Sequence, residues 1–161
     1  MTFETKLNEL YSEIAQQVSD MIPVEWNELY FNGEVKVEEG GVFFFFTPVQ
    51  HNNEFVYSHD IPNLYQINDK VYDEELRKLF KQTIELQKVF IDNDQEPCFS
   101  VTLIVNSLGN LKVHFDYTNW FESDFGPAAR IRYFEYKYLD YKQENSNLEL
   151  MKRMKEFEEN K

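Results

Sequence analysis

One cysteine, three histidines and five glycines in 161 residues leave this chain short of the groups that most chemistry needs. Cys98 stands alone, so no intramolecular disulfide is possible and nothing implies an oxidising compartment. The glycines, at positions 33, 40, 41, 109 and 126, form neither a phosphate-binding loop nor a dinucleotide fingerprint. No apolar run approaches the roughly 20 residues that a membrane helix needs. The stretch Met1–Lys6 lacks the basic-then-apolar pattern of a secretory signal, so the expected location is the cytoplasm. Positive charge is scarce at the front of the chain: residues 1–60 hold only Lys6 and Lys36 against eleven acids, a local balance of -9.

What is present is acid and aromatic. Asp and Glu number 29 against 16 Lys and Arg, a net charge of -13, and Phe and Tyr alone contribute 15 and 10 residues. Such a field repels phosphates and argues against direct binding of DNA or RNA. It draws basic proteins, with fast and salt-sensitive association. Solubility alone would account for the same charge. The length suits one ordinary domain, about residues 3–140 with an amphipathic tail over 145–161, and is long enough to bury a core without staples.

Spacing of apolar residues outlines the elements. Leu7, Leu10, Tyr11, Ile14, Val18 and Met21 recur at three and four, which predicts a helix over about residues 3–20, with Pro23 just past its end. Leu29, Phe31, Val35 and Val37 alternate with polar residues, and Gly40-Gly41 offers a tight turn before Val42–Phe46. Four consecutive Phe, 43–46, have no period of two and predict a strand covered on both faces, the alternative being an exposed edge for a partner to cover. Residues 50–72 read as a loop with a short strand at Phe55–Tyr57. Asp73 then caps a helix to about residue 91. A hairpin follows, Phe99–Val105 and Leu111–Tyr117, with Gly109 supplying the positive backbone angle. After Pro127 the residues fit a helix capped by Ser123 or Asp124, or a strand. Leu148, Met151, Met154 and Phe157 predict a tail helix, with Ser146 and Glu149 at capping-box spacing. The fold class expected is α+β: an antiparallel sheet of about four to five strands, helices packed against it, and a C-terminal helical tail.

Candidates for catalysis are few. His114 and Asp116 share a face of a strand, and Glu122 and Asp124 add carboxylates, so a metal site is conceivable; a half-exposed strand pair reads as well. His51 and His59 fall in the polar loop and read as solvated. Cys98 has no paired base in sequence and reads as a small core residue. Arg130 and Arg132 can anchor an anion or pair with nearby acids. No catalytic residue and no cofactor is assigned. Tyr117, Trp120, Phe121 and Phe125 interleave with Asp116, Glu122 and Asp124, a composition suited to gripping a basic protein surface. The same residues also fit a loop whose rings pin it to the core while its acids face water.

The run Asp116-Tyr117-Thr118-Asn119-Trp120-Phe121-Glu122-Ser123-Asp124-Phe125-Gly126-Pro127, with Arg130 and Tyr136-Lys137-Tyr138-Leu139 beyond it, resembles the signature of the YezG-like immunity proteins. The resemblance extends back through Asp60-Ile61-Pro62, Phe43–Phe46 and Trp26, covering most of residues 3–140. It departs at Cys98-Phe99, where the family often has a tryptophan, and in the charged tail after Leu139. The resemblance implies a cytoplasmic antitoxin. Such a protein binds a basic nuclease toxin exported by type VII secretion and keeps it inactive in the producing cell. It also leaves open an escort for a secretion substrate without inhibition. Asp116, Tyr117, Trp120, Phe121, Glu122, Asp124 and Phe125, the interleaved rings and acids, are the candidate partner-binding residues.

Overall fold

The computed structural model describes residues 2–36, 39–139 and 145–160, and the chain forms two compact units that meet between Tyr117 and Thr118. In the first unit, helix α1 spans Phe3–Met21; the Thr2 hydroxyl accepts from the Thr5 N–H and so satisfies one of its free donors. Strands β1 (Trp26–Lys36) and β2 (Glu39–Pro48) pair antiparallel, and a short β3 (Val56–Tyr57) pairs with Phe45 and Phe46. Helices α2 (Ile61–Tyr65) and α3 (Asp69–Asp92) precede the hairpin β4 (Ser100–Asn106) and β5 (Leu111–Asp116). All five strands lie in one antiparallel sheet, in the order β3-β2-β1-β4-β5. The second unit holds a 3-10 turn at Trp120–Glu122, helix α4 (Pro127–Tyr138) and helix α5 (Asn145–Glu159). The fold is α+β.

One face of the sheet carries Leu29, Phe31, Phe44, Phe46, Val101, Leu103 and Val105, all buried in a cluster with Ile14 and Val18 of α1 and Leu79, Leu86 and Phe90 of α3. Each such Phe or Leu contributes about 1.5–3 kcal/mol by leaving water. The helices are tied together by Gln17, whose amide donates to the Glu75 carboxylate at 2.7 Å and the Glu75 carbonyl at 3.2 Å. Helix α3 approaches β1 closely at Gly33: a Cβ there would lie 2.6 Å from the Thr83 methyl, so any larger residue forces a neighbour to shift. On the opposite face of the sheet, Phe43 and Phe45 are also buried, and both rings contact Tyr57. The phenylalanine run is thus buried on both faces, as its lack of alternation predicts. Beside it the Asn32 amide donates to the Thr102 hydroxyl at 3.0 Å, which satisfies two polar groups within the buried sheet.

Several local expectations are corrected. Gly40 and Gly41 lie within β2, opposite Val35 and Glu34. Gly40 has φ of 134°, and a Cβ there would sit 1.8 Å from the Glu34 carbonyl oxygen, so the glycine serves a close backbone approach within the ladder. Val37 lies outside the described residues. Within the expected 50–72 loop, Val56–Tyr57 is a strand, as expected, but 49–51 and 58–60 form 3-10 turns and 61–65 a helix. The long helix begins at Asp69, because Asn68 rather than Asp73 is its cap: the Asn68 side chain accepts from the N–H groups of Lys70 and Val71. Likewise α4 is a helix, capped by Gly126 with no side-chain bond and started by Pro127, a residue pre-set for the first helical position. Ser146 lies inside α5 rather than ahead of it.

Candidate partner-binding site

The boundary between the two units falls inside the signature stretch. Asp116 and Tyr117 close the first unit and Thr118–Pro127 open the second. Asp116 is half-buried at the end of β5, opposite Ser100, and His114 lies two residues back on the same side, opposite Thr102. Tyr117 is 44% exposed, and its phenol is pushed above its usual value by partial desolvation, then by Cys98 and Glu96. The Cys98 thiol is pushed up to about 11, chiefly by burial, which keeps it protonated and unreactive at neutral pH. His59 stacks on Tyr57 with centroids 4.9 Å apart, and its Nδ1 meets the Ser58 hydroxyl at 3.0 Å. Desolvation lowers its pKa against the opposing pull of Asp60 and Asp73. It is exposed to solvent, as expected, while also held by these neighbours. Among the described residues no group of three or more His, Cys, Asp and Glu is placed to hold a metal ion.

In the second unit the loop is organised around Trp120. Its ring is only 4% exposed and packs against Tyr133 of α4 at 5.7 Å, Phe157 of α5 at 5.2 Å and Phe125 at 6.1 Å. Successive side chains of the 3-10 turn point about a third of a turn apart, and Phe121 is 37% exposed while Glu122 and Asp124 lie at the surface. Ser123 locks the turn: its hydroxyl donates to the Trp120 carbonyl and accepts from the Phe125 N–H. Arg130, one turn into α4, donates from Nη1 to the Phe125 carbonyl at 2.8 Å, and its guanidinium lies 5.3 Å from the centre of the Phe121 ring. Phe125 is half-buried, with the Arg153 guanidinium 5.3 Å from its ring centre.

The tail helix is thus part of this unit's core. Met151 and Met154 are buried, Phe157 completes the aromatic cluster, and the Glu158 carboxylate accepts from Lys137 at 3.0 Å and from the Tyr133 hydroxyl at 3.3 Å. Burial raises the Glu135 carboxyl against the opposing charge of Arg132. Sequence reasoning placed Phe157 on the tail helix but assigned neither it nor Arg153 to this site. The three-and-four spacing marked the apolar face of the tail, but nothing in a linear pattern names the ring on which that face lands. The resulting surface offers one exposed ring and two carboxylates on a braced turn, a rigid arrangement with little ordering entropy left to lose on binding.

Residues 7–152 match the family model of the YezG-like immunity proteins. The chain is 38% identical to a type VII secretion system protein, EsaG, of Staphylococcus aureus over 137 residues, covering 85% of this chain and 83% of that one. It is 31% identical over 134 residues to the immunity proteins YezG of Bacillus spizizenii and Bacillus subtilis, covering 83% of this chain and 83% and 87% of theirs. The match runs through the signature loop and into the tail helix, and the chain belongs to the YezG-like immunity protein family.

Proposed function

We propose that this protein is the cytoplasmic antitoxin of a secreted nuclease, which binds the toxin in the cell that makes it and holds it inactive until export. Membership of an immunity family supports a protein toxin as the partner. The observation that carries the reading further is the braced turn, in which buried Trp120 holds Phe121, Glu122 and Asp124 outward. A nuclease needs a cationic cleft for phosphates, and a chain of net charge -13 is drawn to such a surface by long-range attraction. Phe121 and Phe125 supply apolar contact, and Glu122 and Asp124 orient the cationic partner. Tyr117 and Asp116, at the end of the first unit, are proposed as contacts in their own right.

The test is a titration into the nuclease domain of the type VII toxin encoded beside this protein, with plasmid cleavage as the readout. Cleavage is expected to stop at a fixed molar ratio, and the affinity to weaken with added salt. The double variant Glu122→Lys with Asp124→Lys places like charges against the cleft and is expected to weaken inhibition by about tenfold or more. Continued cleavage in a demonstrated complex would replace inhibition with escort of a secretion substrate. No complex at all would sink the nuclease assignment.

A further inference from the structure

We propose that His59 is a pH-sensitive latch on the outer edge of the phenylalanine strand: its neutral ring holds the buried Ser58 hydroxyl in place, and protonation lets that edge open. β3 has only two residues, Val56 and Tyr57, which pair with Phe46 and Phe45 of β2. One residue back along β2, the Phe44 N–H lies beyond the end of that pairing and donates to the Ser58 hydroxyl at 3.1 Å. A side chain thus continues the ladder where the backbone of β3 stops. β2 carries four consecutive Phe, and an uncovered edge of that composition is a template for pairing with other chains.

Hydrogen-bond polarity fixes the state of His59. Ser58 is fully buried, so its own hydroxyl proton needs an acceptor inside the protein. The Ser58 carbonyl is already taken, accepting from the Tyr72 hydroxyl of α3 at 2.6 Å and from the Ile61 N–H. Among the described residues, the acceptor left within reach is Nδ1 of His59, at 3.0 Å. Nδ1 accepts only when the ring is neutral and carries its proton on Nε2. An imidazolium reverses the bond: Nδ1 becomes a donor, and the Ser58 proton is left buried without a partner. The ionisable groups facing the ring are Tyr57 of β3, stacked on it at 4.9 Å, Asp60 of the same turn and Asp73 of α3. Both carboxylates favour the imidazolium, but desolvation outweighs them and holds the ring's pKa below its ordinary 6.5. The unfolded chain therefore takes up the proton first. The stability that the latch contributes is complete above the ordinary value and is lost as pH falls through the lowered one. His59 is shielded on the side of Tyr57 and Ser58 but otherwise exposed, so the charged ring has water to turn into.

The experiment follows the His59 ring and the Phe44 amide by NMR, in the full-length, isotopically labelled protein, between about pH 8 and about pH 5. At the upper end the ring should be neutral with its proton on Nε2. As the ring titrates, the Phe44 amide should lose about tenfold or more in hydrogen-exchange protection, corrected for the intrinsic effect of pH, while amides of the β1–β4 ladder keep theirs. His59→Asn puts a side-chain oxygen in place of Nδ1 and cannot titrate. At this exposed position it should fold normally and keep Phe44 protected across the range. Ser58→Ala should leave Phe44 poorly protected at every pH, and His59 should then titrate closer to its ordinary value. A neutral ring protonated on Nδ1, Phe44 protection that ignores the His59 titration, or the same pH dependence in His59→Asn would each overturn the proposal. The latch lies within the first unit and needs no partner, so its failure leaves the plasmid-cleavage test untouched.

Discussion

Replacing Trp120 and replacing Phe121 should have opposite consequences, although the two rings are adjacent in sequence. Trp120 is 4% exposed and meets the rings of Phe125, Tyr133 and Phe157. Trp120→Ala leaves a cavity and removes three aromatic contacts, and buried large-to-Ala changes of this kind cost about 3–5 kcal/mol. Phe121 is 37% exposed, and its recorded neighbours include the Arg130 guanidinium at 5.3 Å. Losing that cation–π contact costs about 0.5–1 kcal/mol, so Phe121→Ala should leave the unit folded. Amide hydrogen exchange in α4 and α5 reads the local stability of the second unit directly. Protection in both helices should fall by at least about a hundredfold in Trp120→Ala, the equivalent of ~2.7 kcal/mol, and by less than about tenfold in Phe121→Ala. Toxin binding should weaken in both, but osmolyte stabilisation should restore only the Trp120 variant, because its surface is intact once the unit refolds. Near-normal protection in Trp120→Ala, or large loss in Phe121→Ala, would refute the assignment of one ring to the core and the other to the surface.

At Gly33, a new Cβ would meet the Thr83 methyl at 2.6 Å, so Gly33→Ala should destabilise by about 1–3 kcal/mol through overpacking. The same change in a Thr83→Ala background should cost less, and urea unfolding of the four-member cycle would show additive costs if the contact were irrelevant. Alkaline pH offers a third check. Burial holds the Tyr11 phenol at about 12 against an ordinary 10.0, and the Cys98 thiol at about 11 against 9.0, and raises Tyr72 in the same direction. These acids ionise first in the unfolded chain, so the stability they contribute is complete below about pH 9 and is lost as pH rises through the folded values. Urea midpoints should therefore drop between about pH 9 and about pH 12, and the drop should be smaller in Tyr11→Phe with Cys98→Ser. Equal drops in the two proteins would remove these groups as the cause.

Much of the fold was legible in the chain because long elements repeat their signal. α1 shows five turns of apolar residues on one face, and the Phe43–Phe46 run could not alternate, so its burial on both sides followed from composition. Short elements carry no such redundancy. α2 has five residues, too few to show a period, so its sequence reads as loop. The start of α3 is hard to place from sequence because Asn68 and Asp73 are equally good caps in isolation. Gly40 looked like a turn residue for a sound reason, its backbone angle, but that angle is used inside a strand where the Glu34 carbonyl leaves no room for a Cβ.

The charge of the chain, its α+β pattern and the family signature at 116–127 are properties of the sequence by itself, since each depends on which residues are present and in what order. Which of the signature's aromatics face inward is different. Trp120, Phe121 and Phe125 are all large aromatics, and no local pattern says which of them is buried. A ring is buried only where another element supplies apolar surface against it, and here that surface includes Phe157, from a tail helix far along the chain. The tertiary structure alone decided that Trp120 is the pin and that Phe121, Glu122 and Asp124 lie at the surface, because burial belongs to contacts between distant segments and not to residues.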